Sequence, residues 1–174
     1  MPQKPRRPRP RPPPLPRWPE ELLSAERVAV LGVGSELRGD DVAGVLVARQ
    51  LKAWCSRTGS TRLAGFVGTS APENLTGEIA RFKPSWVVLV DAAHLEKEPG
   101  TVELVTREKI DGLSFSTHML PAPIVLDYLE QTTGCRSLVV GIQLEQTGVL
   151  AKPSASVVSA VRRLVAAFQR DFGS

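Results

Sequence analysis

A chain of 174 residues with a formal net charge of +4 and two cysteines has room for one ordinary core, with no disulfide framework to hold it. Its longest apolar runs, at 86–90 and 138–140, are strand-sized, which argues against a transmembrane helix, and no apolar segment of signal-peptide length follows the Arg6-Arg7 pair. A soluble, cytoplasmic protein is expected.

The positive charge is local. Residues 1–17 hold Lys4, Arg6, Arg7, Arg9, Arg11 and Arg17 with no acid, so the rest of the chain is mildly acidic. Proline recurs from Pro2 to Pro19, which excludes helix interior and central strand, so residues 1–19 are expected to be a disordered basic tail. Contact with nucleic acid or anionic lipid, or a proline-rich ligand for a groove, are the functional alternatives for that tail. A dispensable extension is preferred, with residues 20–174 forming a single α/β domain and no nucleic-acid partner or membrane insertion.

The first element of that domain is a continuously apolar strand at 28–31. It leads into Gly32-Val33-Gly34-Ser35-Glu36-Leu37-Arg38-Gly39-Asp40-Asp41-Val42-Ala43-Gly44. A helix then runs from about residue 42 to residue 55, with Asp40 or Asp41 as its N-cap. A turn at 57–60 precedes a second strand at 61–67. Gly68 to Asn74 opens a short helix that ends before Pro84, with Thr69 or Ser70 as cap and Pro72 in its first turn.

Residues 86–90 form the clearest strand, unbroken in hydrophobicity and delivering Asp91 at its C-terminal end. After a turn at 98–100, residues 101–105 alternate polar with apolar, as an edge strand does. A loop at 111–119 contains Ser116-Thr117-His118. A helix at 121–131, a buried strand at 137–142 and an amphipathic helix at 154–172 complete the chain. Strands alternating with helices predict a three-layer α/β/α sandwich with a mostly parallel twisted sheet, phosphorylase/hydrolase-like.

Open sheets of this kind bind ligands at the C-terminal ends of their strands. Three ionisable residues fall on loops or strand ends expected there: Asp41, Asp91 and His118. Two carboxylates and an imidazole, without thiolate, suit a borderline divalent ion such as zinc or nickel at modest affinity. Taken singly, an aspartate after a strand is as readily a cap, and a lone histidine is more often a packed one. His94 competes as a ligand but sits in a solvated run beside Glu96, Lys97 and Glu98. Cys55 and Cys135 read as reduced structural thiols.

A nucleotide-binding module is the rival reading, because Gly32 and Gly34 follow a first strand. The third glycine of the dinucleotide fingerprint would fall at Leu37, however, and two aspartates at the helix start would repel a phosphate. A metal carrier or adaptor without catalysis is a further reading.

Taken together, the Gly32 to Gly44 block, Gly68 to Asn74, Val90-Asp91-Ala92 with Pro99-Gly100, Ser116-Thr117-His118-Met119 with Pro121, and Gly141-Ile142-Gln143 resemble the maturation endopeptidases of [NiFe] hydrogenases. The resemblance covers the chain from about residue 28 to the final helix. It implies an aspartyl-type peptidase family member that removes the C-terminal extension of a [NiFe]-hydrogenase large-subunit precursor after nickel insertion. It also implies that Asp41, Asp91 and His118 are the catalytic and metal-contacting residues. Nickel would then arrive in the substrate, zinc or cadmium could replace it in a crystal, and the protein is expected to act as a monomer.

Two positions depart from the pattern. Val67 stands where the family carries Asp before the glycine that is here Gly68, and Ser35 stands where Asn is usual. The first leaves open a catalytically impaired, metal-dependent binding protein of the same fold.

Overall fold

The structure, a computed structural model, describes residues 11–69, 72–110, 114–115 and 122–174. In chain order its elements are α1 (Glu20–Leu23), β1 (Val28–Val33), a 3-10 turn (Gly39–Val42), α2 (Ala43–Thr58), β2 (Leu63–Gly68), a second 3-10 turn (Pro72–Leu75) and α3 (Thr76–Phe82). There follow β3 (Trp86–His94), β4 (Val102–Val105), α4 (Arg107–Ile110), β5 (Ser114–Phe115), α5 (Ala122–Thr133), β6 (Arg136–Gln143) and α6 (Ala155–Phe172).

The sheet runs in the order β2-β1-β3-β6-β4. Strands β1, β2, β3 and β6 are parallel, and β4 lies antiparallel to β6 at the edge, where the sequence placed an edge strand. The short β5 pairs antiparallel with the end of β3.

Period-two alternation along the strands divides the core into two layers. Val28, Val30, Val88, Val90 and Val140 face α1, α2 and α6, against Leu22, Val47, Leu51, Leu164, Phe168 and Phe172. Ala29, Leu31, Val87, Leu89 and Val139 face the opposite layer, with Ile79 of α3, Ile110 of α4 and Val125, Leu126 and Leu129 of α5. With both faces covered, central strands must be apolar throughout, which is why β1 is buried at every residue and β3 at every residue before His94. The expected three-layer α/β/α arrangement with a mostly parallel sheet is the one found.

Several elements differ from their sequence-based outlines: α1 and α4 are not among those expected, β1 runs on to Val33 and α2 to Thr58. Strand β3 does not stop at Val90, because β6 continues to pair with it through Asp91↔Gly141, Ala92↔Ile142 and Ala93↔Gln143. The buried Gln143 side chain then accepts from Leu95 N–H at 2.7 Å, holding the chain beyond the strand. In the loop expected at 111–119, Ser114–Phe115 is a strand, while 111–113 and 116–119 fall outside the described residues.

Within the segment expected to be a disordered tail, residues 13–18 lie against α6. Leu15 and Trp18 pack onto the core, and the Trp18 ring sits 4.9 Å from that of Phe168. Trp18 Nε1 donates to Asp171 at 3.0 Å, and the Arg163 guanidinium donates to the carbonyl of Pro13. Two apolar side chains are enough to dock a short stretch of a proline-rich segment. Among the described residues, no helix is long and apolar enough to cross a membrane.

Candidate functional site

The strand order fixes where a ligand would sit. From β1 the chain crosses to β2 on one side and then returns to β3 on the other, so the topological switch point lies between β1 and β3. At their C-terminal ends, the last pair joining the two strands is Gly32↔Val90. Asp91 is the next residue of β3, and the 3-10 turn that follows β1 packs against β3 and carries Asp41. The fold thus brings Asp41 and Asp91 to one crevice, 1% and 0% exposed respectively.

Glycines make this approach possible. A Cβ on Gly44 would lie 2.0 Å from the Val90 carbonyl oxygen and 2.4 Å from that of Val33, so the start of α2 is pressed onto both strands. Gly34 has φ +144°, and its Cβ position is filled by the Asp41 carbonyl oxygen at 1.8 Å. That same carbonyl accepts from Ser35 N–H at 3.2 Å. The two glycines that suggested a phosphate loop are therefore spent on close packing of the chain against itself, with Gly32 likewise covered by the Gly44 carbonyl.

Neither aspartate caps α2: the helix is entered through the 3-10 turn, and no side chain accepts a hydrogen bond at its N-cap. Asp40 does something the sequence hid. Its Oδ2 accepts from Glu145 N–H at 2.7 Å, Gln146 N–H at 2.9 Å and Ser154 Oγ–H at 3.0 Å, while Oδ1 accepts from Ser154 N–H at 2.6 Å. In return, Asp40 N–H donates to the Gln146 carbonyl at 3.0 Å. This fully buried carboxylate clasps the segment joining β6 to α6 onto the turn that carries Asp41. A hydroxyl chain extends the clasp from Ser154 to Ser156 at 2.9 Å, and from Ser156 to Glu145 at 2.7 Å. Ser154 is also the N-cap of α6, its side chain accepting from Val157 N–H.

His118 lies outside the described residues, as does Ser70. His94 is exposed at the end of β3, paired with Ser114. Among the described residues there is no cluster of three or more His, Cys, Asp or Glu side chains able to hold a metal. Among the described residues, Asp41 and Asp91 bring hard oxygen donors to the crevice. The two thiols stand elsewhere, Cys55 near the C-terminal end of α2 and Cys135 just before β6, and burial pushes both up from the usual thiol range, away from nucleophilic thiolate. Val67 is half-buried at the end of β2, opposite Gly32.

This geometry agrees with comparisons to known proteins. The sequence profile of the hydrogenase maturation protease family, HycI, matches residues 46–168. The hydrogenase 3 maturation protease of Escherichia coli K12 is 29% identical over 120 residues, covering 68% of this chain and 74% of its own length. The crystal structure of the [NiFe] hydrogenase maturation protease HycI from Thermococcus kodakarensis superposes with a TM-score of 0.78 at 33% identity, over 89% of this chain and 98% of that one. The solution structure of the endopeptidase HycI from Escherichia coli gives 0.68 at 27% identity, over 80% and 87%. A profile match over more than half of the chain, with a like fold along nearly all of it, places this protein among the peptidases of the hydrogenase maturation protease family.

Proposed function

We propose that this peptidase removes the C-terminal extension from the large-subunit precursor of a [NiFe] hydrogenase after nickel has been inserted, and that Asp41 and Asp91, together with His118, engage the nickel held by the precursor. The observation that carries the reading is the burial of two carboxylates on adjoining elements at the switch point of the sheet, elements that cannot separate without unpacking Gly44 from β1 and β3. Carboxylate oxygens suit a divalent ion, and the absence of a thiolate from the pair leaves tight capture to the precursor's own ligands.

Metal status then becomes proximity. A precursor whose nickel meets both carboxylates has its scissile peptide held beside the crevice, and one without nickel does not. Nickel held by the precursor and met by Asp41, Asp91 and His118 would polarise the scissile carbonyl or a water molecule. Both thiols are remote and protonated.

The test is to incubate the full chain with nickel-loaded precursor and with the same precursor lacking nickel, and to follow release of the extension by mass spectrometry. Cleavage of the loaded form alone is expected. Equal cleavage of both would remove nickel from the recognition step.

A further inference from the structure

The segment clasped by Asp40 carries a second unusual feature. Leu150 is 78% exposed and has φ +59°, in the left-handed region that favours glycine or asparagine and is an outlier for a bulky apolar side chain. Its N–H donates to the Leu37 carbonyl at 2.7 Å, which binds the 145–152 segment to the turn before Gly39. Leu37 is 61% exposed and Val149 72%, so three of the six most exposed large apolar side chains among the described residues project from one small area. Single exposed apolar side chains are ordinary; three on one rim, one of them on strained backbone, are not.

The segment is also firmly held. Gln146 Nε2 donates to the Lys152 carbonyl at 2.7 Å, Ala151 N–H to the Gly148 carbonyl at 3.1 Å, and Asp40 anchors both of its ends. The leucine is thus displayed by a rigid frame, at a cost in both hydration and backbone energy that folding alone does not require.

We propose that Leu37, Val149 and Leu150 form the surface on which the hydrogenase precursor docks, by an apolar patch bordering the segment to be cut. This rests on the substrate reading above. The patch is continuous with the crevice, because Asp40 and Gly39 join the 145–152 segment to the residue next to Asp41. The metal pair reports whether nickel is present; the apolar patch supplies affinity for the body of the substrate.

The decisive variant is Leu150→Gly, which removes the side chain and relieves the backbone together. Its melting temperature should equal or exceed that of the wild type, while KM for the nickel-loaded precursor rises about tenfold and the loss falls on KM rather than kcat. Leu37→Ala and Val149→Ala, which leave the backbone of Leu150 as it is, should each raise KM by a smaller factor. An unchanged KM in all three, with the wild type active, overturns the docking surface and leaves the substrate reading intact. A wild type that fails to cleave any nickel-loaded precursor overturns both. Loss of self-association in Leu150→Gly by sedimentation, without a change in KM, assigns the patch to a second copy of this chain and also overturns the proposal.

Discussion

The two ends of the sheet use charge in opposite ways. At the N-terminal ends of the strands the charges are guanidinium groups, tied to main-chain carbonyls. Arg62 donates to the carbonyls of Ala25 at 3.0 Å and Leu23 at 2.6 Å, and Arg27 to that of Phe82 at 3.0 Å. Arg136 stacks over the Trp86 ring at 4.4 Å. These groups reach solvent and act as fasteners, each stabilising one junction modestly. At the C-terminal ends three carboxylates, Asp40, Asp41 and Asp91, are buried. Asp40 serves there as a fastener with both of its oxygens engaged, and Asp41 and Asp91 sit beside it at the crevice. Burying a carboxylate is costly unless it is hydrogen-bonded, and this rim buries three. The basic end fastens the fold, whereas the acidic end is where the proposed function places the chemistry.

Substitutions can break that contrast. The largest effect on turnover is expected from Asp41→Asn and Asp91→Asn, each lowering precursor cleavage by roughly 100-fold or more with only a small change in melting temperature. Collapse of the fold with no specific loss of rate would make the acidic end a fastener too. Asp40→Ala should lower both stability and rate. It leaves the N–H groups of Glu145, Gln146 and Ser154 without their carboxylate acceptor, at a cost of about 3 kcal/mol in a urea titration.

At the opposite end, Trp18→Ala removes the ring packed on Phe168 and should cost about 2–3 kcal/mol while cleavage of native protein stays at the wild-type rate. Arg62→Ala should cost about 1 kcal/mol, again without effect on rate. The smallest change concerns the thiols. With both pushed up by burial, iodoacetamide at neutral pH should label Cys55 and Cys135 slowly and leave activity untouched. Fast labelling with parallel inactivation would restore a cysteine to the mechanism.

Much of this architecture was readable from the sequence where the signal is local. The unbroken run from Trp86, the helical period of α6 and the glycine exits each express a rule that acts within a few residues. Asp41 and Asp91 were readable as residues placed after apolar strands. Asp40 was not, because its partners lie more than 100 residues away, at 145–154, and a doublet of aspartates before a helix looks the same whether one caps the helix or reaches across the rim. The continuation of β3 past Val90 depends on pairing with Gly141 to Gln143, which no pattern within β3 announces. The docking of residues 13–18 was masked by composition, since the prolines around Leu15 and Trp18 outweigh two apolar side chains in any window average.

The close approach at Gly32, Gly34 and Gly44 has a consequence for how such an enzyme could change its client. The crevice is walled there by main chain, and any larger side chain at those three positions would meet a carbonyl or a neighbouring backbone atom. Retuning by point substitution is therefore closed off on that wall. It remains open on the far margin, where the side chains of Val149 and Leu150 face solvent outside the Asp40 network. Divergence among clients would be written along that margin, and the inner wall would be inherited unchanged.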